Sequence, residues 1–73
     1  MPYSRGTDRH RGTVTEFDAA RGLGTVAAVD GSELMFHCVE IADGTRAIEL
    51  GAEVTFVQMA KFGALEAADL RPA

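Results

Sequence analysis

Arg21-Gly22-Leu23-Gly24-Thr25-Val26 and, a few residues on, Leu34-Met35-Phe36-His37-Cys38-Val39 decide the fold of this chain. Each is a short run of strand-forming character, and the segment between them carries the turn signal Asp30-Gly31. Asp-Gly between two alternating apolar runs is a strong hairpin cue. The pair therefore reads as adjacent antiparallel strands. Side chains alternate along a strand, so Leu23, Thr25, Met35 and His37 share one face of the hairpin, and Val26, Leu34 and Phe36 share the other. The second set is core. The first set faces outward, and function is expected there.

Ahead of this hairpin, the run from Arg11 to Asp18 is rich in β-branched and aromatic residues and predicts a first strand. Asp18 to Gly22 connects it to a second strand over Leu23–Val29, where Gly24 predicts a bulge, a bend or a close backbone approach. The third strand is expected over Glu33–Cys38. Val39 to Gly51 lacks alternation and reads as a long connection with one helical turn around Ala47 to Leu50. Ala52 to Ala60 alternates over Val54 and Phe56 and predicts a fourth strand. Phe62-Gly63 turns, and the periodicity of Ala64 to Leu70 fits a strand or a helix, ended by Arg71-Pro72. Residues 1–10 read as a flexible tail, with residues 11–72 as the folded domain. Five short strands with glycine-bearing turns point to a small all-β barrel, which also removes the exposed edges a sheet this small leaves open.

Seventy-three residues suffice for one small domain. A chain of this size hides only about 60% of its unfolded surface, so its core must be economical. At 47% hydrophobic and 25% charged it has the composition of a globular domain, not of a disordered one. No apolar run approaches the roughly 18 residues of a membrane span, and Met1 to Gly12 has no apolar signal region. A single cysteine rules out an internal disulfide, and a reducing cytoplasm is the simplest setting. The net charge of −4 and a pI near 4.9 argue against tight, nonspecific phosphate binding. Positive charge is uneven: Arg5, Arg9, Arg11 and Arg21 lie in the first third. Glu33, Glu40, Asp43, Glu49 and Glu53 face Arg46 alone further on.

The residues also carry a family likeness. Gly12-Thr13-Val14-Thr15-Glu16-Phe17-Asp18-Ala19-Ala20-Arg21-Gly22-Leu23-Gly24-Thr25-Val26 resembles the opening of the bacterial cold-shock domain, G-K-V-K-W-F-N-x-x-K-G-F-G-F-I. Leu34-Met35-Phe36-His37-Cys38-Val39-Glu40-Ile41 is similar to V-F-V-H-F-S-A-I, with one residue lost before it. Asp43-Gly44-Thr45-Arg46 resembles the loop D-G-F-R, and Glu49 to Phe56 the stretch L-x-E-G-x-x-V-x-F. Ala67-Ala68-Asp69-Leu70-Arg71-Pro72 resembles the closing A-A-N-V-R-P. The likeness covers residues 11 to 72 and keeps the order of every segment. It implies a five-stranded antiparallel barrel of the oligonucleotide-binding (OB) type. It also implies binding of single-stranded RNA or DNA, with an RNA-chaperone or regulatory role.

Carried over position by position, the resemblance implicates Phe17, Arg21, Leu23, Thr25, Met35, His37 and Cys38, with Arg11 for phosphate contact. Most of the family's stacking aromatics are replaced: its tryptophan by Glu16, and its phenylalanines by Leu23, Thr25, Met35, Cys38 and Thr45. Phe17 and His37 remain as platforms. Each aromatic–base stack is worth about 1–3 kcal/mol, so weak, salt-sensitive binding is expected. Met35 packs adaptably and Arg21 stacks, which compensates in part.

The bland readings stand beside these. His37 reads equally as a base contact or as a solvated histidine on a sheet face, and Phe17 equally as platform or as core. Leu23 and Met35 form an apolar patch that suits a protein or a second copy of the chain as well as a base. His37 and Cys38 point to opposite faces and have no companions for a tetrahedral metal site. Gly22-Leu23-Gly24 lacks the third glycine and the following helix of a dinucleotide fingerprint. Glu16 and Asp18 read as a solvated strand end. No cofactor, metal or enzymatic reaction is expected. Single-strand binding through the first three strands is the favoured function. The alternative is a barrel whose face serves protein contact or self-association.

Overall fold

The computed structural model describes residues 3–42, 47–61 and 63–73, with the backbone alone at 3–7 and 61. Five strands follow one another: β1 (Tyr3–Asp18), β2 (Leu23–Ala28), β3 (Glu33–His37), β4 (Glu53–Lys61) and β5 (Ala64–Pro72). They close a barrel in the order β1-β2-β3-β5-β4. All neighbours are antiparallel except β3 and β5, which meet in parallel at Met35 and Glu66. This is the small all-β barrel that the strand pattern predicts, consistent with the OB type that the resemblance implies. No helix among the described residues is long and apolar enough to cross a membrane.

The hairpin that organises the chain folds as its alternation requires. Leu23 pairs with His37, Thr25 with Met35 and Val26 with Leu34, while Gly31 takes the left-handed turn conformation at φ 95°. Val26, Leu34 and Phe36 are buried and join Val14, Ile41, Val54, Phe56, Ala67 and Leu70 in one core. Gly24 lies opposite Phe36, and its role is close approach. A Cβ there would run into the Phe36 ring and would stand 2.8 Å from the Glu16 carbonyl oxygen. With that space open, the Phe36 ring lies over the β2 backbone, and Phe17 stacks parallel to it at 6.1 Å between centroids.

Several expectations are corrected. From Tyr3 onward the expected tail is strand: Tyr3 to Arg5 pair with Lys61 to Met59, and Arg9 to Gly12 with Val57 to Val54. The β4–β5 hairpin runs past the barrel, and its β4 edge offers backbone groups that the N-terminal segment satisfies. No apolar alternation announces this pairing, which is made through the backbone. Ala47 to Glu49 form no helical turn; among the described residues a 3-10 turn lies instead at Cys38–Glu40. Val14 donates to the Ala52 carbonyl and accepts from the Gly51 N–H, so the end of the long connection is tied to β1. Residues 64–70 are strand, β2 stops at Ala28, and β3 stops at His37. Thr45, the loop counterpart of a family aromatic, lies outside the described residues.

A bulge in β5 shapes the far side of the barrel. Asp69 has a φ of 51°, and its N–H donates to Glu40 Oε1 at 3.1 Å. Its carboxylate holds Arg9 at 3.0 Å and Arg71 at 3.1 Å, and Arg9 also donates to the Thr55 hydroxyl and carbonyl. Arg9, which falls within the expected tail, is therefore a strut joining β1, β4 and β5. The hydrogen bond from Arg71, and then that from Arg9, holds the Asp69 carboxyl below its ordinary 3.8. A carboxylate depressed by folding stabilises the native state above its unfolded pKa, and that contribution is lost as the pH falls through the folded value. Asn tolerates the left-handed backbone, so Asp69→Asn removes the charge without adding strain. Asp69→Asn is expected to lower the melting temperature at about pH 6, and the gap should close as the pH falls below the ordinary carboxylate value of 3.8. A gap independent of pH would sink this account.

Candidate nucleic-acid interface

Register builds the outer face in two rows. Glu16 of β1 pairs with Thr25 of β2, which pairs with Met35 of β3, and Met35 meets Glu66 of β5. The neighbouring row runs Asp18, Leu23, His37. Between them, Phe17, Gly24 and Phe36 belong to the inward-facing set. A register shift between Val14 and Glu16 leaves Thr15 as an extra residue and puts both Thr15 and Glu16 at the surface. Without that bulge, strict alternation would have turned Glu16 inward beside Val14.

An open groove of about 440 Å³ runs across this face, in the size range of sites that hold small organic groups. Leu23, Met35 and the half-buried Phe17 supply its apolar surface, with Leu50 of the long connection alongside. Thr15, Glu16, Asp18, Arg21, Gly24 and Thr25 complete its lining. Met35 is 50% exposed and Leu50 is 66% exposed, high values for apolar side chains. Asp18 Oδ1 accepts from the backbone N–H groups of Ala20 and Arg21, which shapes the turn and brings Arg21 to the groove. The Arg21 guanidinium is exposed and holds no ion pair among the described residues.

His37 stands beside Leu23 with its side chain 42% exposed. Its Nε2 lies 3.6 Å from Glu66 Oε1, too long for a hydrogen bond but within reach of an ion pair when the imidazole is protonated. That Glu66 oxygen is buried and has no hydrogen-bond partner among the described residues. Local charge is thus mostly negative, with Glu16, Asp18 and Glu66 around the face and Arg21 as its cation.

The structure brings together Phe17, Arg21, Leu23, Thr25 and Met35 along the groove, with His37 at its flank. It does not bring Arg11 or Cys38 there. Arg11 lies five residues up β1 from Glu16, roughly 15 Å away along the strand. Cys38 begins the 3-10 turn, packs partly against the core, and donates its N–H to the Gly22 carbonyl. The Phe17 ring stacks on Phe36 and is only half-exposed toward the groove. Leu50, Thr15 and Glu66 were not singled out from the sequence. Leu50 falls in the long connection, with nothing in the sequence to aim it at the groove. Glu66 reaches the face only through the parallel β3–β5 contact. No protein-family model matches the chain, and no curated protein matches it.

Proposed function

We propose that this barrel binds single-stranded RNA or DNA weakly through the outer face of β1, β2 and β3, as a cold-shock-like protein acting in the cytoplasm. The observation that carries the reading is the groove itself: on one open face, Leu23, Met35 and the edge of Phe17 offer apolar surface for bases. Arg21 stands on the same groove for phosphate, and His37 flanks it. Single strands are bound by this combination of stacking surface and cation along the backbone. The resemblance of residues 11–72 to the cold-shock domain points the same way and suggests an RNA-chaperone or regulatory role. The missing aromatics and the acidic surroundings make the binding weak and salt-sensitive.

Fluorescence anisotropy of labelled, mixed-sequence single strands at low and near-physiological salt tests this. Saturable binding that weakens with salt is expected. Arg21→Ala should weaken it for every sequence and reduce the log–log salt slope by about 1. His37→Ala should weaken it without changing the melting temperature. Unaltered affinity in both variants would move the site off this face.

Exposed Met35 and Leu50 beside Glu16 and Asp18 favour a second reading, in which a protein segment or a second copy covers the apolar patch. That reading predicts a dimer by light scattering, or a captured partner, abolished by Met35→Glu.

A further inference from the structure

We propose that the groove reads guanine: the free carboxylate of Glu16 accepts the two adjacent N–H donors on that base's Watson–Crick edge. This rests on the single-strand reading above and adds a base preference to it.

Apart from the Thr25 hydroxyl, which both donates and accepts, the hydrogen-bonding atoms on this side of the groove are acceptors. Glu16 is exposed and has no hydrogen-bond or ion-pair partner among the described residues. Thr15 donates its hydroxyl hydrogen to the Thr25 carbonyl at 3.4 Å, which leaves lone pairs toward the groove. Asp18 has one oxygen engaged by the turn it forms. The free carboxylate nearest the apolar floor is therefore Glu16, in register with Thr25 and one strand further from Met35.

A carboxylate presents two acceptor oxygens side by side and no donor. Guanine presents N1–H and the N2 amino group side by side, so both oxygens are satisfied. Cytosine and adenine offer one amino donor with an acceptor next to it. Uracil and thymine place their single N3–H between two carbonyls, whose oxygens repel the carboxylate. A base of that last kind returns one poor bond to Glu16, where guanine returns two good ones. The apolar floor of Leu23 and Met35 accepts the flat face of any base and so does not oppose this order. Phosphate is repelled by Glu16 and Asp18, so the backbone passes on the Arg21 side of the groove.

The test uses the full chain and labelled uridine heptamers carrying at their centre a guanosine, an inosine or a further uridine. Inosine keeps N1–H and lacks the amino group. The guanosine strand is expected to bind about tenfold more tightly than the all-uridine strand, with inosine between them. In Glu16→Gln the ratio should fall to within about twofold, with an unchanged melting temperature. The ratio is the readout, because removing a negative charge tightens every strand. Equal binding of the three strands, or a preference that survives in Glu16→Gln, overturns guanine reading while leaving single-strand binding in place. No binding of any strand at low salt overturns both.

Discussion

Phe36→Ala is expected to cost about 3–5 kcal/mol, the range measured for removing a buried aromatic ring. That is comparable with the whole stability a core of this size supplies, so much of the variant chain should be unfolded at room temperature. The ring is fully buried, lies against Gly24 and stacks on Phe17. Strand pairing on both sides of Gly24 holds the backbone where it is, so the cavity left behind cannot close by collapse. Urea denaturation followed by far-ultraviolet circular dichroism measures the loss. Phe36→Leu keeps most of the volume and should cost less than about 1.5 kcal/mol. A Phe36→Ala loss below about 1 kcal/mol would mean that the ring is not the keystone of the β1–β2–β3 packing. The consequence for function is direct, because the same packing holds Leu23, Thr25, Met35 and His37 on one outer surface.

Thr25→Phe is expected to raise the affinity for single strands by about fivefold to a hundredfold, from about 1–3 kcal/mol per base stacked on an aromatic ring. Thr25 stands at the centre of its row, between Glu16 and Met35, and is half-buried on the outer face. A larger side chain there grows over the groove, outside the core, so the melting temperature should change little. The cold-shock resemblance places a phenylalanine at this position and another at Leu23, and Leu23→Phe should add a second gain. Anisotropy titration at fixed salt reads both. A folded Thr25→Phe that binds no better than the wild type would show that bases do not run across this face.

Much of the fold was legible because its signals are local. Period-two alternation separated Val26, Leu34 and Phe36 from Leu23, Thr25, Met35 and His37, and the register reproduces that division. Gly24 announced a special backbone position, though only the packed ring of Phe36 showed which kind. The N-terminal strand was not legible. Tyr3 to Asp8 has no apolar alternation, and pairing with the far end of β4 is a contact between segments about fifty residues apart. Arg9 illustrates the same point. In sequence it belongs to a basic cluster, whereas in the barrel it is spent on Asp69 and Thr55.

By itself the sequence determined the strands of the central hairpin, its core residues Val26, Leu34 and Phe36, and its outward set Leu23, Thr25, Met35 and His37. These follow from side-chain alternation and turn chemistry, which act over a few residues. Only the tertiary structure decided which outward residues form one groove. The bulge at Thr15 brings Glu16 to the surface, the long connection brings in Leu50, and the parallel β3–β5 contact places Glu66 beside Met35. Each of these depends on strand register and barrel closure, and hence on contacts between residues far apart in the chain.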